Sequence, residues 1–430
     1  MDIRRTHYTS ELNDSLVGKS VRIAGWIEDL RELGSIVFLT VRDVSGGAQV
    51  VATPEQILLS PGDKIPRQSV VAVSGVVQKS KAKAFPVEVK AGEVSVLSVA
   101  KHPLPVDPTG RVGSSIDARL DARALDLRNP AVMPLFKIRH EALQSIRRTL
   151  AQQKFVEVNT PKVIGSASEG GANLFSFEYF GKRAYLAQSP QLYKEQLTMA
   201  LDRVFEIASY YRAEKSHTIR HLNEFVSIDI EAAFMDAEDV MQVAELVVRN
   251  ALADLKERCP GELEQLGSAV TAPSLPFERV TYAQILADLA KDGIKLEFGE
   301  DLPDHALRVL GERRKGYYWI VDWPLKLKPF YIHEKEGDPS LSCSFDLQYG
   351  FLELASGGRR QHDVSKLRDR LKEQGLNPDD FRDHLKVFEW GMPPHSGWGL
   401  GFDRFIMAVC NAKNIREVVL YPRDTERLAP

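Results

Sequence analysis

The sequence predicts two folds in series. A small all-β barrel spans residues 1–100, and an α+β domain spans residues 131–430, its antiparallel sheet flanked by helices. Three observations predict this. Short runs of alternating apolar and polar residues crowd the first hundred positions. Pro103, Pro105, Pro108, Gly110 and Gly113 then fall close together, which marks residues 101–130 as a hinge rather than a regular element. Beyond them, helical and strand-like patterns interleave at irregular intervals, which does not suit regular βαβ units.

In the first region, Val21, Ile23 and Ile27 alternate with polar or small residues. Runs at Ser35–Arg42, Ala48–Ala52, Ser69–Val77 and Val87–Leu97 complete five strands. Pro54–Leu59 reads as a short helix between the third and fourth. That order is the order of an OB-fold barrel. In the second region, Leu135, Ile138, Ala142, Leu143, Ile146 and Leu150 share one helical face. Phe155–Val158 is extended and stops at Pro161. Further strands are expected at Arg183–Leu186, Val204–Ser209, Glu224–Ala233, Tyr317–Val321, Phe345–Tyr349 and Phe351–Ser356. Helices are expected at Gln191–Leu201, Ala237–Glu257, Tyr282–Asp288, Asp363–Glu373 and Phe402–Asn411.

Composition sets outer bounds. The 430 residues are 43% hydrophobic and 27% charged, with a formal charge of −3, as in ordinary globular proteins. A disordered, collagen-like or histone-like chain is excluded, and no apolar run is long enough to span a bilayer. Met1–His7 leads into polar sequence, so no secretory signal is expected. Cys259, Cys343 and Cys410 are too few and too scattered for a zinc knuckle or a disulfide framework. They suit buried packing in a reducing cytoplasm.

Four segments carry chemistry. In Phe205–Phe225, Arg212 and Glu214 are two apart in an extended run, so they share a face. Arginine there could grip a phosphate and glutamate an amine, while Arg220, His221 and Phe225 follow; a charged surface hairpin is the plain alternative. Gly397-Trp-Gly-Leu-Gly-Phe-Asp-Arg404 has the wrong spacing for a dinucleotide fingerprint. Its glycines could admit a base or ribose to the backbone, with Arg404 on a phosphate, or could make a tight packing turn. Gln188-Ser-Pro-Gln-Leu-Tyr-Lys194 joins a strand to a helix, and Lys194 could pair with Asp229 or Glu231 or bind a carboxylate. In Phe351–His362, Glu353 and Ser356 offer hard oxygens to Mg²⁺, and Arg360 suits a carboxylate; an ordinary charged strand end is the alternative.

Taken together and in this order, the segments resemble the class II aminoacyl-tRNA synthetases of the aspartate, asparagine and lysine subgroup, over essentially the whole chain. Phe155–Pro161 resembles motif 1, Phe205–Glu231 motif 2 and Gly397–Arg404 motif 3. Within the subgroup the chain is similar to the archaeal/eukaryotic-type aspartyl enzymes, because Gln188–Lys194 matches their aspartate-binding element and the large bacterial insertion is missing. Two cations, Lys194 and Arg360, would select a carboxylate over its neutral isostere.

The resemblance implies the rest of the site. Arg212 and Arg404 would be catalytic. ATP would meet Arg212, Glu214, Arg220, His221, Leu222, Phe225, Glu353, Gly401, Phe402, Asp403 and Arg404. Aspartate would meet Glu169, Gln191, Lys194, Arg212, Asp229, Ser356 and Arg360, with Glu169–Asn173 as a mobile loop. Mg²⁺ would lie on Glu353 and Ser356. The anticodon would meet Arg31, Phe38, Gln49 and Lys83 on the barrel; barrel core is the alternative place for Phe38. Lys79, Lys81 and Lys83 could line one strand face toward phosphate. The expected partners are tRNA(Asp), L-aspartate, ATP and a second copy of the chain joined through the segment around Pro161. Glu28 matches neither residue type expected where the family influences acceptance of tRNA(Asn), so that acceptance stays open. Ser396 replaces a common glycine, a change expected to be tolerated. The rival readings are an asparaginyl-tRNA synthetase, a tRNA-independent amidoligase of the same fold, and an inactive paralogue.

Overall fold

A computed structural model describes residues 4–60, 63–165, 174–215 and 218–430. The chain separates into two units, Met1–Pro130 and Ala131–Pro430.

The first unit is a closed barrel of β1 (Ser20–Leu33), β2 (Ile36–Asp43), β3 (Gly46–Ala52), β4 (Val70–Lys79) and β5 (Val87–Ser98), in the order β1-β2-β3-β5-β4. Alternation explains its core. Val37, Leu39 and Val41 point inward with Val50, Val71, Val73 and Val89, and Phe38 points outward between them. The helix expected at Pro54–Leu59 is a single 3₁₀ turn, Pro54–Ile57, followed by a short strand, Leu58–Ser60. Only Ile57 of that turn is buried, so no second apolar turn extends it.

Residues 101–130 were expected as an irregular hinge, yet they hold two short helices, Ile116–Asp121 and Arg123–Asp126. A buried ion pair explains the order. Arg123 lies 2.7 Å and Arg119 3.0 Å from the Asp126 carboxylate. Arg128 stacks 4.8 Å from the Trp26 ring and joins this stretch to the barrel.

In the second unit the site rests on α1 (Met133–Gln152), β6 (Val156–Glu157), α2 (Gln191–Leu201), β7 (Arg203–Tyr211), β8 (Glu224–Ala233), α3 (Ala237–Arg258), β9 (Glu278–Thr281), β10 (Tyr317–Val321), β11 (Ser344–Tyr349), β12 (Leu352–Arg359), β13 (His395–Gly401) and α4 (Phe402–Val409). The sheet runs β9-β10-β11-β12-β13-β8-β7-β6. Its six middle strands are antiparallel, as expected, but both edge pairs are parallel, so the sheet is mixed. The glycine-rich segment before α4 is itself a central strand, β13.

One face of the sheet packs on α1, α3 and α4. Ile138, Ala142 and Ile146 of α1 meet Val248 and Leu252 of α3, and Ile228 and Ile230 of β8, in one core. Asp236 caps α3, its carboxylate accepting from the Glu238 amide at 2.9 Å. The alternate residues of β8 (Phe225, Ser227, Asp229) are therefore delivered to the opposite face, where they line a cavity. The three cysteines are free thiols; Cys259 and Cys410 are buried.

Candidate active site

A cavity of about 330 Å³ lies on this second face. Gln191, Lys194, Arg212, Glu214, Arg220, His221, Leu222, Phe225, Asp229, Glu353, Ser356, Arg360, Gly401, Asp403 and Arg404 all line it. Residues up to 213 positions apart in sequence meet because of strand register. Asp229 of β8 pairs with Gly399 of β13, which pairs with Ser356 of β12, so three strands form one row.

One end of the cavity is packed with opposite charges. Lys194 reaches from α2 to Asp229 Oδ1 at 3.1 Å, Glu231 Oε2 at 3.5 Å and the Trp398 carbonyl at 3.3 Å. Arg360 grips Glu231 with two bonds, Nε at 2.9 Å and Nη2 at 3.2 Å. Tyr331 covers that guanidinium, its ring 5.4 Å away. All four charged side chains are nearly solvent-free, and the two cations offset the two anions. Burial disfavours the Arg360 charge, but Glu231 outweighs it and holds the guanidinium above its ordinary range.

The glycines of β13 make room for these carboxylates. A Cβ on Gly399 would stand 2.9 Å from Asp229 Oδ1, and one on Gly397 would overlap the Glu231 carboxylate. Packing against these carboxylates, the alternative named for the glycines, thus accounts for Gly397 and Gly399, while Gly399 and Gly401 also line the cavity. Ser396 donates from Oγ to the Met235 carbonyl at 2.7 Å, which explains how serine is accommodated there.

The other end is open and mostly basic. β7 stops at Tyr211, so Arg212 and Glu214 lie in the loop after it rather than on a strand face. Asn223 ties that loop down, its Nδ2 donating to the Arg212 carbonyl at 2.7 Å and the Glu214 carbonyl at 3.0 Å. The Arg212 guanidinium is 5.1 Å from the Phe225 ring. Arg220 pairs with Asp304 at the start of a helix, Asp304–Arg313. Burial and the nearby Arg404 lower the His221 imidazole, which favours its neutral form. Arg404 donates to the Glu353 carbonyl at 3.2 Å, and its guanidinium lies 4.0 Å from the Glu353 carboxylate. The crowded cavity wall and Asp346 raise the Glu353 carboxyl, although 44% of its side chain stays open to the mouth.

Two side chains of motif 3 are taken up by structural contacts. Phe402 is fully buried in the core, with the Arg139 guanidinium 4.7 Å from its ring. The Asp403 carboxylate accepts from the Val226 amide at 2.8 Å and from Arg139 at 2.5 Å, so it fastens α4 to α1 and β8. Glu169 and the loop Glu169–Asn173 lie outside the described residues.

Sequence reasoning missed Asp346, Lys328 and Tyr331. Asp346 pairs with Ser356 across β11 and β12, and Lys328 holds its Oδ2 at 2.8 Å. Its Oδ1 is buried with no hydrogen-bond partner among the described residues. In sequence Asp346 alternates with Phe345 and Leu347 as a solvent-facing residue would, so local pattern alone gave no sign of its burial. Among the described residues no group of three or more His, Cys, Asp or Glu forms a protein-only metal cage.

On the barrel, Arg31 and Phe38 are direct cross-strand partners. Phe38 is half-buried on the outer surface and Arg31 is exposed, so the core alternative for Phe38 fails. Gln49 is one row away, and its Nε2 donates to Glu88 at 2.5 Å. Lys83 is exposed, but β4 ends at Lys79, so Lys81 and Lys83 lie in the following connection and do not extend a strand face. Glu28 sits at a bulge in β1 and pairs with Arg42, Oε1 to Nη2 at 3.2 Å.

Residues 115–425 match the family of tRNA synthetases class II (D, K and N), and residues 21–97 match the OB-fold nucleic acid binding domain. The chain belongs to the class II tRNA synthetases. This synthetase is 47% identical over 433 residues to an aspartate–tRNA(Asp/Asn) ligase of Methanothermobacter thermautotrophicus, covering 100% of this chain and 99% of that protein. A protein of the same name from Archaeoglobus fulgidus is 43% identical over 427 residues, covering 98% and 99%. Among solved structures, asparaginyl-tRNA synthetase from Pyrococcus horikoshii with asparaginyl-adenylate superposes with a TM-score of 0.94 at 32% identity, covering 100% of both chains. Aspartyl-tRNA synthetase from Entamoeba histolytica superposes with a TM-score of 0.86 at 29% identity, covering 99% of this chain and 92% of that one. The synthetase has no helix, among the described residues, long and apolar enough to cross a membrane.

Proposed function

We propose that this synthetase activates L-aspartate with ATP and transfers it to tRNA(Asp), with tRNA(Asn) as a second acceptor to be tested. One observation carries the choice of amino acid. Two buried cations on separate elements, Lys194 and Arg360, converge on one end of the cavity. An incoming side-chain carboxylate can accept from both and take over part of their pairing with Asp229 and Glu231, whereas an amide brings no charge to offset its desolvation. The likeness in backbone to an asparaginyl enzyme does not bear on this, because one fold serves several substrates.

In this reading Arg212 binds the α-phosphate and the substrate α-carboxylate. Phe225 stacks on adenine, Glu214 accepts from its amino group, and Arg220, His221 and Arg404 meet the terminal phosphates. Gln191 and Asp229, with Glu169, receive the substrate ammonium. A carboxylate oxygen of aspartate attacks the α-phosphorus as the bond to pyrophosphate breaks. The terminal ribose hydroxyl of the tRNA then attacks the acyl carbon and AMP leaves. No side-chain nucleophile is required, so the protein contributes alignment and stabilisation of charge.

Glu353, Ser356 and Asp346 Oδ1 would supply the hard oxygens that Mg²⁺ takes alongside phosphates, and the unpartnered Oδ1 supports a cation there. When bound, Mg²⁺ would neutralise phosphate charge. The outward Arg31–Phe38 pair is the proposed anticodon platform. A homodimer through the Pro161 segment fits the exposure of Val156 (45%) and Val163 (44%) beside an edge strand. A cytoplasmic location fits three unpaired thiols.

The deciding experiment is charging of tRNA(Asp) and tRNA(Asn) transcripts with aspartate, ATP and Mg²⁺, asparagine serving as the competing amino acid. Aspartate on tRNA(Asp) is the expected product; activation of asparagine instead would overturn the reading. Sedimentation checks the dimer.

A further inference from the structure

Behind the charged end of the cavity lies a buried acid that none of these roles uses. Glu195 is on α2, four residues after Gln191, and is fully buried. Its Oε1 accepts from the Gln191 Nε2 at 2.5 Å. Its Oε2 lies 3.6 Å from His384 Nε2 and 3.7 Å from His395 Nε2, and both histidines are buried.

A glutamine amide has two ends, a donor NH₂ and an acceptor oxygen. An ionised carboxylate has no proton to give, so only the NH₂ end can face it. We propose that Glu195 is a positioning residue that fixes the orientation of the Gln191 amide, turning its carbonyl oxygen toward the cavity as an acceptor for the substrate α-ammonium. This rests on the amino-acid reading of the cavity and extends it by one residue. Gln191 lines the cavity, and its NH₂ is committed to Glu195, which leaves Oε1 as the end available to a ligand.

The surroundings keep Glu195 charged. Burial works against ionisation, but His395, His384 and Arg360 outweigh it and hold the carboxyl at about 2. His395 is raised in turn: burial lowers it, and Glu195 more than compensates. The His395 Nδ1 lies 2.7 Å from the Pro393 carbonyl, which fixes the proton on that nitrogen and orients the ring.

The test is Glu195→Gln. A neutral amide at 195 can donate to the Gln191 oxygen, so the orientation is no longer imposed. The expected result in ATP–pyrophosphate exchange is a rise in KM for aspartate of about tenfold or more, with kcat within about threefold and KM for ATP unchanged. Succinate keeps both carboxylates and lacks the ammonium, so its inhibition constant should not move. Unchanged KM for aspartate, or equal weakening of aspartate and succinate, overturns the proposal.

The exchanged pair Gln191→Glu with Glu195→Gln keeps the composition and puts an acceptor back toward the cavity. It should restore KM for aspartate to within about threefold of wild type. A folded exchanged pair that binds aspartate no better than E195Q also overturns the proposal, and this variant decides the matter if E195Q alone does not fold. Failure of the aspartate reading would show separately, as wild-type exchange driven by another amino acid. Every amino acid carries the ammonium, so E195Q would then be read on that substrate and its des-amino analogue.

Discussion

The two ends of the cavity solve recognition differently. At the amino-acid end, Lys194, Arg360, Asp229 and Glu231 are nearly dry, and each is already paired. At the nucleotide end, Glu353 is 44% and Arg404 26% exposed, and the guanidinium stands 4.0 Å from the carboxylate. The difference shows where selectivity can reside. Buried, pre-paired charges hold one geometry, and misfit there strands a charge away from water. A partly exposed cation such as Arg404 can follow a phosphate chain as it moves, because water covers whatever is left unmatched.

Substitutions at each end should therefore fail in different ways. The largest effect is expected at Arg212, whose cation would face the developing charge on the α-phosphorus. Arg212→Ala should lower adenylate formation at least about a thousandfold with little change in thermal stability, and pyrophosphate exchange with a melting curve checks both. Next is Glu231→Gln, which leaves Arg360 buried and under-compensated. Stability should fall by roughly 3–5 kcal/mol, read by denaturant unfolding; a normal melting curve would dissolve the contrast between the ends.

Gly399→Ala is a finer probe of the dry end. The new methyl would press on Asp229 Oδ1 and displace it from Lys194. Catalytic efficiency with aspartate should drop by roughly a hundredfold while KM for ATP holds, since misplacement of about an ångström costs that much. The smallest effect is expected outside the cavity. Phe38→Ala should weaken tRNA charging by about tenfold and leave pyrophosphate exchange intact, in line with loss of one stacked base. Equal loss of both activities would mean the barrel does more than read the anticodon.

Much of this arrangement was legible in the chain, and the exceptions have causes. Five barrel strands follow from period-two alternation, which local sequence reports directly. Gln191–Leu201, Glu224–Ala233 and Tyr317–Val321 appear with the boundaries read from pattern. β13 was hidden because glycines carry no apolar signal; backbone pairing with β8 and β12 makes it a strand, and the neighbouring carboxylates require the glycines. Phe402 and Asp403 sit inside a cavity-lining motif, yet Phe402 turns to the core and the Asp403 carboxylate is held by Arg139 and the Val226 amide. Asp346 escaped notice because its partner Ser356 becomes its neighbour only through strand register. Glu195 escaped for a related reason: its charge matters only once two histidines nearly two hundred positions away close over it.

The row Asp229–Gly399–Ser356 has a consequence for redesign. Enzymes are commonly retuned to larger or smaller substrates by trimming or extending a side chain that walls the binding site. Here the wall beside the Asp229 carboxylate is bare peptide at Gly399, with Gly397 packed on Glu231 behind it, so nothing is left to trim and there is no room to extend. The dimensions of this recess are thus a property of strand spacing, about 4.8 Å from one backbone to the next, which no substitution at these positions can stretch. A variant library aimed at a new amino acid would do better to leave β13 untouched and sample Lys194, Arg360 and Tyr331, which reach the same space from elements outside that strand.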